Sequence, residues 1–176
     1  MILPESIIES LKNHLKNPDI KILVASEWGS QNPSHRDLIR AKLTEIQSDQ
    51  TPYSSVSHCE GAGVIILAPF PVGVDVEVTS RVAEKIIARV SSPEELQHAS
   101  SSAALWCAKE ACFKALRSYR QPSVISEISI GAWQNLDSQI ETYQLLNPEN
   151  FNSPSRNHGF SVHFLLHTYS FFIFPS

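Results

Sequence analysis

The stretch Val72-Gly73-Val74-Asp75-Val76-Glu77-Val78 alternates strictly, and strict alternation is the signature of a β-strand. Successive side chains on a strand point to opposite faces. The four valines therefore share one face, which belongs to a core, and Gly73, Asp75 and Glu77 share the other. The two acids are attached roughly 7 Å apart, so both can reach one cation. Hard oxygen ligands suit Mg²⁺ or Ca²⁺, and Mg²⁺ usually combines one or two carboxylates with waters and substrate phosphates. Gly73 reads as room for a ligand against the backbone. Taken alone, the segment is also compatible with an ordinary exposed strand face bearing two acids.

A helical pattern over residues 102–120 adds to this. Glu110, Lys114 and Arg117 fall at i, i+4 and i+7 and form one stripe, with Lys109 beside it. Leu105, Ala108, Cys112, Ala115 and Tyr119 form an apolar stripe that faces a core. A carboxylate flanked by two lysines suits a phosphate ester held through a metal. The plainer alternative is a surface Glu–Lys pair worth a few tenths of a kcal/mol. Elsewhere the periodicity predicts helices over 4–15, from residue 34, over 80–90, and after Ser92-Pro93-Glu94-Glu95, where Pro opens the first turn. Strands are predicted at 21–25, 53–57, 64–68, 72–78, 125–130, 140–145, 160–166 and 169–174, with a polar loop at 147–158. The order is α+β, without an internal repeat or a flexible linker.

A chain of 176 residues suits one compact domain or two small, tightly joined halves. Apolar residues at 42% and charged residues at 18% support a core rather than disorder. A net charge of −4 argues against a nucleic-acid partner, because phosphate backbones are gripped by Lys and Arg. A phosphate ligand would have to be held by a few local cations. Three cysteines, an odd number without zinc-site spacing, read as reduced thiols of a cytoplasmic protein. No basic-plus-apolar leader is visible, and no apolar run reaches the roughly 18 residues that span a membrane, so no membrane association is expected.

Together the two segments resemble the 4′-phosphopantetheinyl transferase superfamily. Its members carry a Gly-x-Asp-x-Glu strand, here Gly73-Val74-Asp75-Val76-Glu77. A helix follows with an aromatic residue and then Lys-Glu-Ala and a further Lys, here Trp106-Cys107-Ala108-Lys109-Glu110-Ala111-Cys112-Phe113-Lys114. Upstream, Pro52-Tyr53 and Ser57-His58 resemble a Pro-aromatic and Ser-His pair of the larger, surfactin-type members. His35-Arg36-Asp37-Leu38-Ile39 resembles their helix start, where an Arg binds the 3′-phosphate of coenzyme A. Thr51 departs from the Lys often found before the Pro-aromatic pair, and Cys59-Glu60 departs from a usual small residue. Arg40 or Lys42 are candidates to replace the missing cation.

The resemblance implies a compact pseudo-dimer of two α+β halves, residues 1–70 and 71–176, working as a monomer. It implies a holo-acyl-carrier-protein synthase type of activity: transfer of phosphopantetheine from coenzyme A to a serine of an acidic apo-carrier protein, acyl or peptidyl, with release of 3′,5′-adenosine bisphosphate. Fatty acid biosynthesis is one setting for it. Asp75, Glu77 and Glu110 would bind Mg²⁺, with Mn²⁺ as an alternative. Glu110, Lys114 and Asp75 would be catalytic. Arg36, Ser57, His58, Lys109 and Lys114 would contact coenzyme A. Arg117 and Arg120 are candidates for greeting the carrier. Two rival readings are a catalytically impaired relative that binds coenzyme A and a metal-dependent nuclease.

Overall fold

The computed structural model describes residues 2–29 and 33–175, with the side chains of Pro33 and Arg36 outside that description. The chain runs α1 (Glu5–Leu15), β1 (Lys21–Ala25), α2 (Pro33–Ile46), β2 (Tyr53–Cys59), β3 (Ala62–Ala68) and β4 (Val72–Val78). A 3₁₀ turn at Thr79–Arg81 leads to α3 (Glu84–Ile87), α4 (Pro93–His98) and α5 (Ser102–Ala115). The chain then adds β5 (Ile130–Asn135), β6 (Ile140–Leu145), β7 (His158–Phe164) and β8 (His167–Ile173).

The strands form two antiparallel sheets, one in the order β1-β3-β2 and the other in the order β4-β8-β7-β6-β5. The expected α+β class is what is found. β3 is buried along its whole length, and its side chains alternate between two cores. Ile65 and Leu67 face α2, packing with Trp28 and Ile39. Val64 and Ile66 face the other way, into a core that also holds Ile7, Ile8, Leu11 and Leu15 of α1. That same core takes Val72, Val74 and Val76 of β4 together with Phe160, Val162, Tyr169 and Phe171 of the second sheet. The opposite face of the second sheet is covered by α5, whose Leu105, Ala108, Cys112 and Ala115 pack on Tyr143, Phe172 and Phe174. The second sheet is thus buried on both faces, and β4 runs between the shared core and the motif helix.

Several sequence expectations shift. The helix foreseen at 80–90 is reduced to the 3₁₀ turn and the four residues of α3, because Val82 and Ala83 adopt extended backbone. The strand expected at 125–130 begins only at Ile130, after a 3₁₀ turn at Ile125–Glu127. The long helix stops at Ala115 and tightens into a 3₁₀ turn over Leu116–Ser118. Ser92 starts α4 as expected. Its hydroxyl accepts from the Glu95 amide, and the Glu95 carboxylate accepts from the Ser92 amide, a reciprocal capping box. Among the described residues no helix is long and apolar enough to cross a membrane, and the three cysteines are free thiols.

Candidate active site

The face of β4 that carries Gly73, Asp75 and Glu77 is not open. A side chain at Gly73 would run into the carbonyl of Ala111, and its Cβ would lie 2.7 Å from the Ala115 amide nitrogen. The glycine therefore admits the helix α5, not a ligand, which corrects the reading of that residue made from sequence. Because α5 lies directly on this face, the stripe of Glu110 and Lys114 is brought over Asp75.

Asp75 is 4% exposed. Its Oδ1 accepts from Lys114 Nζ at 2.8 Å and from Ser57 Oγ at 2.7 Å. Lys114 Nζ also donates to the Val74 carbonyl at 2.9 Å. Asp75 Oδ2 is buried with no hydrogen-bond partner, an unmet acceptor that asks for a cation or a donor. Ser55 and Ser57 lie two apart on β2 and so share a face. The Val74 amide donates to Ser55 Oγ at 3.1 Å. The two serines therefore stitch the first sheet to β4 at the site.

The charges around Asp75 act on one another. Burial first, and then the negative charge of Asp75, push Glu77 up to about 7, with Glu110 adding to the rise and Lys114 and Arg81 opposing it. Glu110 is raised by burial and by Asp75, against Lys114 and Arg117. Burial likewise raises the neighbouring thiols, Cys59 to about 12 and Cys107 well above the usual range, with the charges of Glu77 and Asp75 adding to both. Both cysteines adjoin the carboxylates, a proximity the linear spacing of these residues does not reveal. Among the described residues, no three His, Cys, Asp or Glu side chains stand as a ready-made metal-holding group. The cation in place against Asp75 is the Lys114 ammonium.

Not every expected residue joins this cluster. Lys109 is fully buried and points away from it, into the base of α4 and β5. Its Nζ pairs with Glu95 Oε1 at 2.7 Å and donates to the Ile128 carbonyl. A lysine sealed in this way cannot meet a phosphate of coenzyme A, and the expected contact is withdrawn. The reason is helical geometry: Lys109 and Glu110 are about 100° apart around the helix, so only one of them can face β4. The Glu95 carboxylate also accepts from the Ile130 amide at 2.8 Å, making the Lys109–Glu95 pair an anchor for α5. His58 is half-buried on β2, opposite Gly63. Thr51 is buried and hydrogen-bonded to Ser48. The side chain of Arg36 lies outside the described residues.

A strand of alternating valines and acids is covered by a helix that delivers Lys114 to Asp75, and both motif segments lie in this seam. The sequence model of the 4′-phosphopantetheinyl transferase superfamily matches residues 71–163, more than half of the chain. The chain belongs to this superfamily. In the transferase, β4 and α5 both fall inside the matched segment, whereas Arg36, Ser57 and His58 fall outside it. A comparison with curated proteins gave no match.

Proposed function

We propose that the protein transfers the 4′-phosphopantetheine group of coenzyme A to a serine of an apo-carrier protein, releasing 3′,5′-adenosine bisphosphate. The observation that carries this reading is the meeting of Asp75, Glu77, Glu110 and Lys114 at the seam of β4 and α5. The donors fit a hard divalent cation. They are carboxylate oxygens, Asp75 Oδ2 is buried and unmet, and the carboxyls of Glu77 and Glu110 are raised by burial first and then by the negative charge of Asp75. Asp75, Glu77 and Glu110 would hold Mg²⁺, or Mn²⁺ in its place. Such an ion, when bound, neutralises charge on the pyrophosphate and polarises the attacked phosphorus.

The chain's own groups divide the remaining work. The serine oxygen attacks the phosphorus that bears the pantetheine arm. A new O–P bond forms, and the P–O bond to the adenosine-linked phosphate breaks. Glu110, whose carboxyl is held above the usual carboxylate range, takes the serine proton. Lys114, already within 2.8 Å of Asp75, steadies the charge on the departing phosphate. Ser57 fixes Asp75 through its 2.7 Å hydrogen bond. His58 and Arg36 would meet phosphate groups of coenzyme A from β2 and α2. The acidic acyl or peptidyl carrier, the cytoplasmic setting and the monomeric state belong to the same proposal.

Intact-protein mass spectrometry of apo-carriers incubated with the protein, coenzyme A and Mg²⁺ tests it. The expected result is a gain of one phosphopantetheine, abolished by EDTA. Absence of any gain with a folded sample that still binds coenzyme A would replace the transferase reading with that of a binding relative.

A further inference from the structure

β7 and β8 are joined by only two residues, Leu165 and Leu166. Two-residue hairpin loops of the favoured kinds need positive φ and are built from Asn, Asp and Gly. Here Leu165 takes φ 54°, where a bulky side chain is an outlier. Both leucines face water, Leu165 at 53% and Leu166 at 72% exposure. Leu166 is the most exposed large apolar residue among those described. Local folding rules favour neither the conformation nor the exposure, and such strain concentrates at functional positions.

The tip stands at the rim of the candidate site. The Leu166 carbonyl accepts from the Thr79 amide at 2.9 Å. In the adjoining ladder Val78 pairs with His167 and Glu77 with Thr168. The base of the tip is tied to the far sheet as well, since His167 Nε2 donates to the Glu60 carbonyl at 2.8 Å. Glu60 in turn pairs with Arg81. The leucines therefore project from the point where the ends of β2 and β4 converge, two residues beyond Glu77.

We propose that the Leu165–Leu166 tip is a docking knob for the protein co-substrate, seated in an apolar patch beside its acceptor serine. The inference rests on the transferase reading. A protein is larger than the site, and one that brings a serine hydroxyl to Asp75 and Glu110 would meet the surface at the end of β4, where this tip stands. Two exposed leucines there select a partner with an apolar surface next to that serine.

Replacing the tip with Asn-Gly (L165N/L166G) supplies the residues the turn prefers. The variant should melt at or above the wild-type temperature, while its KM for the apo-carrier rises about tenfold, the scale of losing an apolar anchor, and its KM for coenzyme A stays put. Leu166→Asp, which leaves residue 165 as it is, should raise the carrier KM likewise. An unchanged carrier KM in either folded variant overturns the proposal. So does sedimentation that shows a wild-type dimer dissolved by the substitutions, which would assign the tip to a second copy. If the wild-type protein binds coenzyme A yet modifies no carrier, the transferase reading itself fails and the docking role falls with it.

Discussion

Asp75 holds the site together because it is both buried and bonded from two directions, by Ser57 of the first sheet and by Lys114 of α5. Removing Lys114 leaves that carboxylate uncompensated in the interior, and breaking a buried pair from one side costs about 3–5 kcal/mol. Lys114→Ala is therefore expected to melt well below wild type and to lose transfer by about 10²–10³-fold. Glu110→Ala should lose activity on the same scale but keep its melting temperature, because it removes one of three mutually repelling carboxylates. Thermal melts alongside the mass-spectrometric assay separate the two, and full activity in either variant would refute the assigned roles. Glu77 makes a pH prediction. Its carboxyl stands at about 7 against an ordinary value of 4.5, so between those values the folded chain binds a proton that the unfolded chain releases. Its contribution to stability is greatest below 4.5, falls as the pH rises through about 7, and is level above that. In EDTA, Glu77→Gln should lose less melting temperature than wild type across that window, and parallel curves for the two would contradict it.

At the scale of elements, the seam between β4 and α5 depends on a residue that has no side chain. Gly73→Ala places a methyl group against the Ala111 carbonyl and the Ala115 amide. The helix must lift, at a cost of about 1–3 kcal/mol or more, and Lys114 must draw away from Asp75. The variant should show a lowered melting temperature together with a lowered kcat, and a wild-type kcat in it would show that the seam tolerates displacement. The strand and the helix were each legible in the sequence because each has a strict period, two for the valines and three to four for the motif stripe, but their packing against each other was not. The role of Gly73 was not, because a glycine beside acids looks the same whether a ligand or a helix covers it. Lys109 was misread for a related reason. Its neighbour in the chain faces the site, and only its buried partner Glu95 reveals that Lys109 faces elsewhere. Ser57 was singled out beside His58 and Ser55 was not; the bonds of both to β4 cross between sheets, and no local pattern announces such a contact. The shortened helix at 80–90 belongs here too, since extended backbone at Val82 and Ala83 overrides the periodicity.

Across the whole molecule one core serves both sheets. Val64 and Ile66 of β3 lie in the same cluster as Val74, Phe160 and Phe171, and Ser55 and Ser57 bond across to β4. The boundary expected at residue 70 falls in the connection between β3 and β4, which belong to different sheets, yet residues 71–176 alone would expose the valine face of β4 and strip Asp75 of its serine. That fragment is expected to show no cooperative thermal transition by circular dichroism, while the full chain shows a single one. A sharp melt of the fragment would establish an independent half. The pairing of β4 with β8 also bears on how the protein is made. The strand that carries Asp75 and Glu77 leaves the ribosome long before the strand that flanks it, and α5 emerges between them. Until β8 arrives, the acids sit on an unpaired edge. Translation halted after residue 115 but before residue 167 would release a polypeptide with every residue of the strand and helix motifs present and no catalytic centre, exposed to proteases and chaperones in the interval.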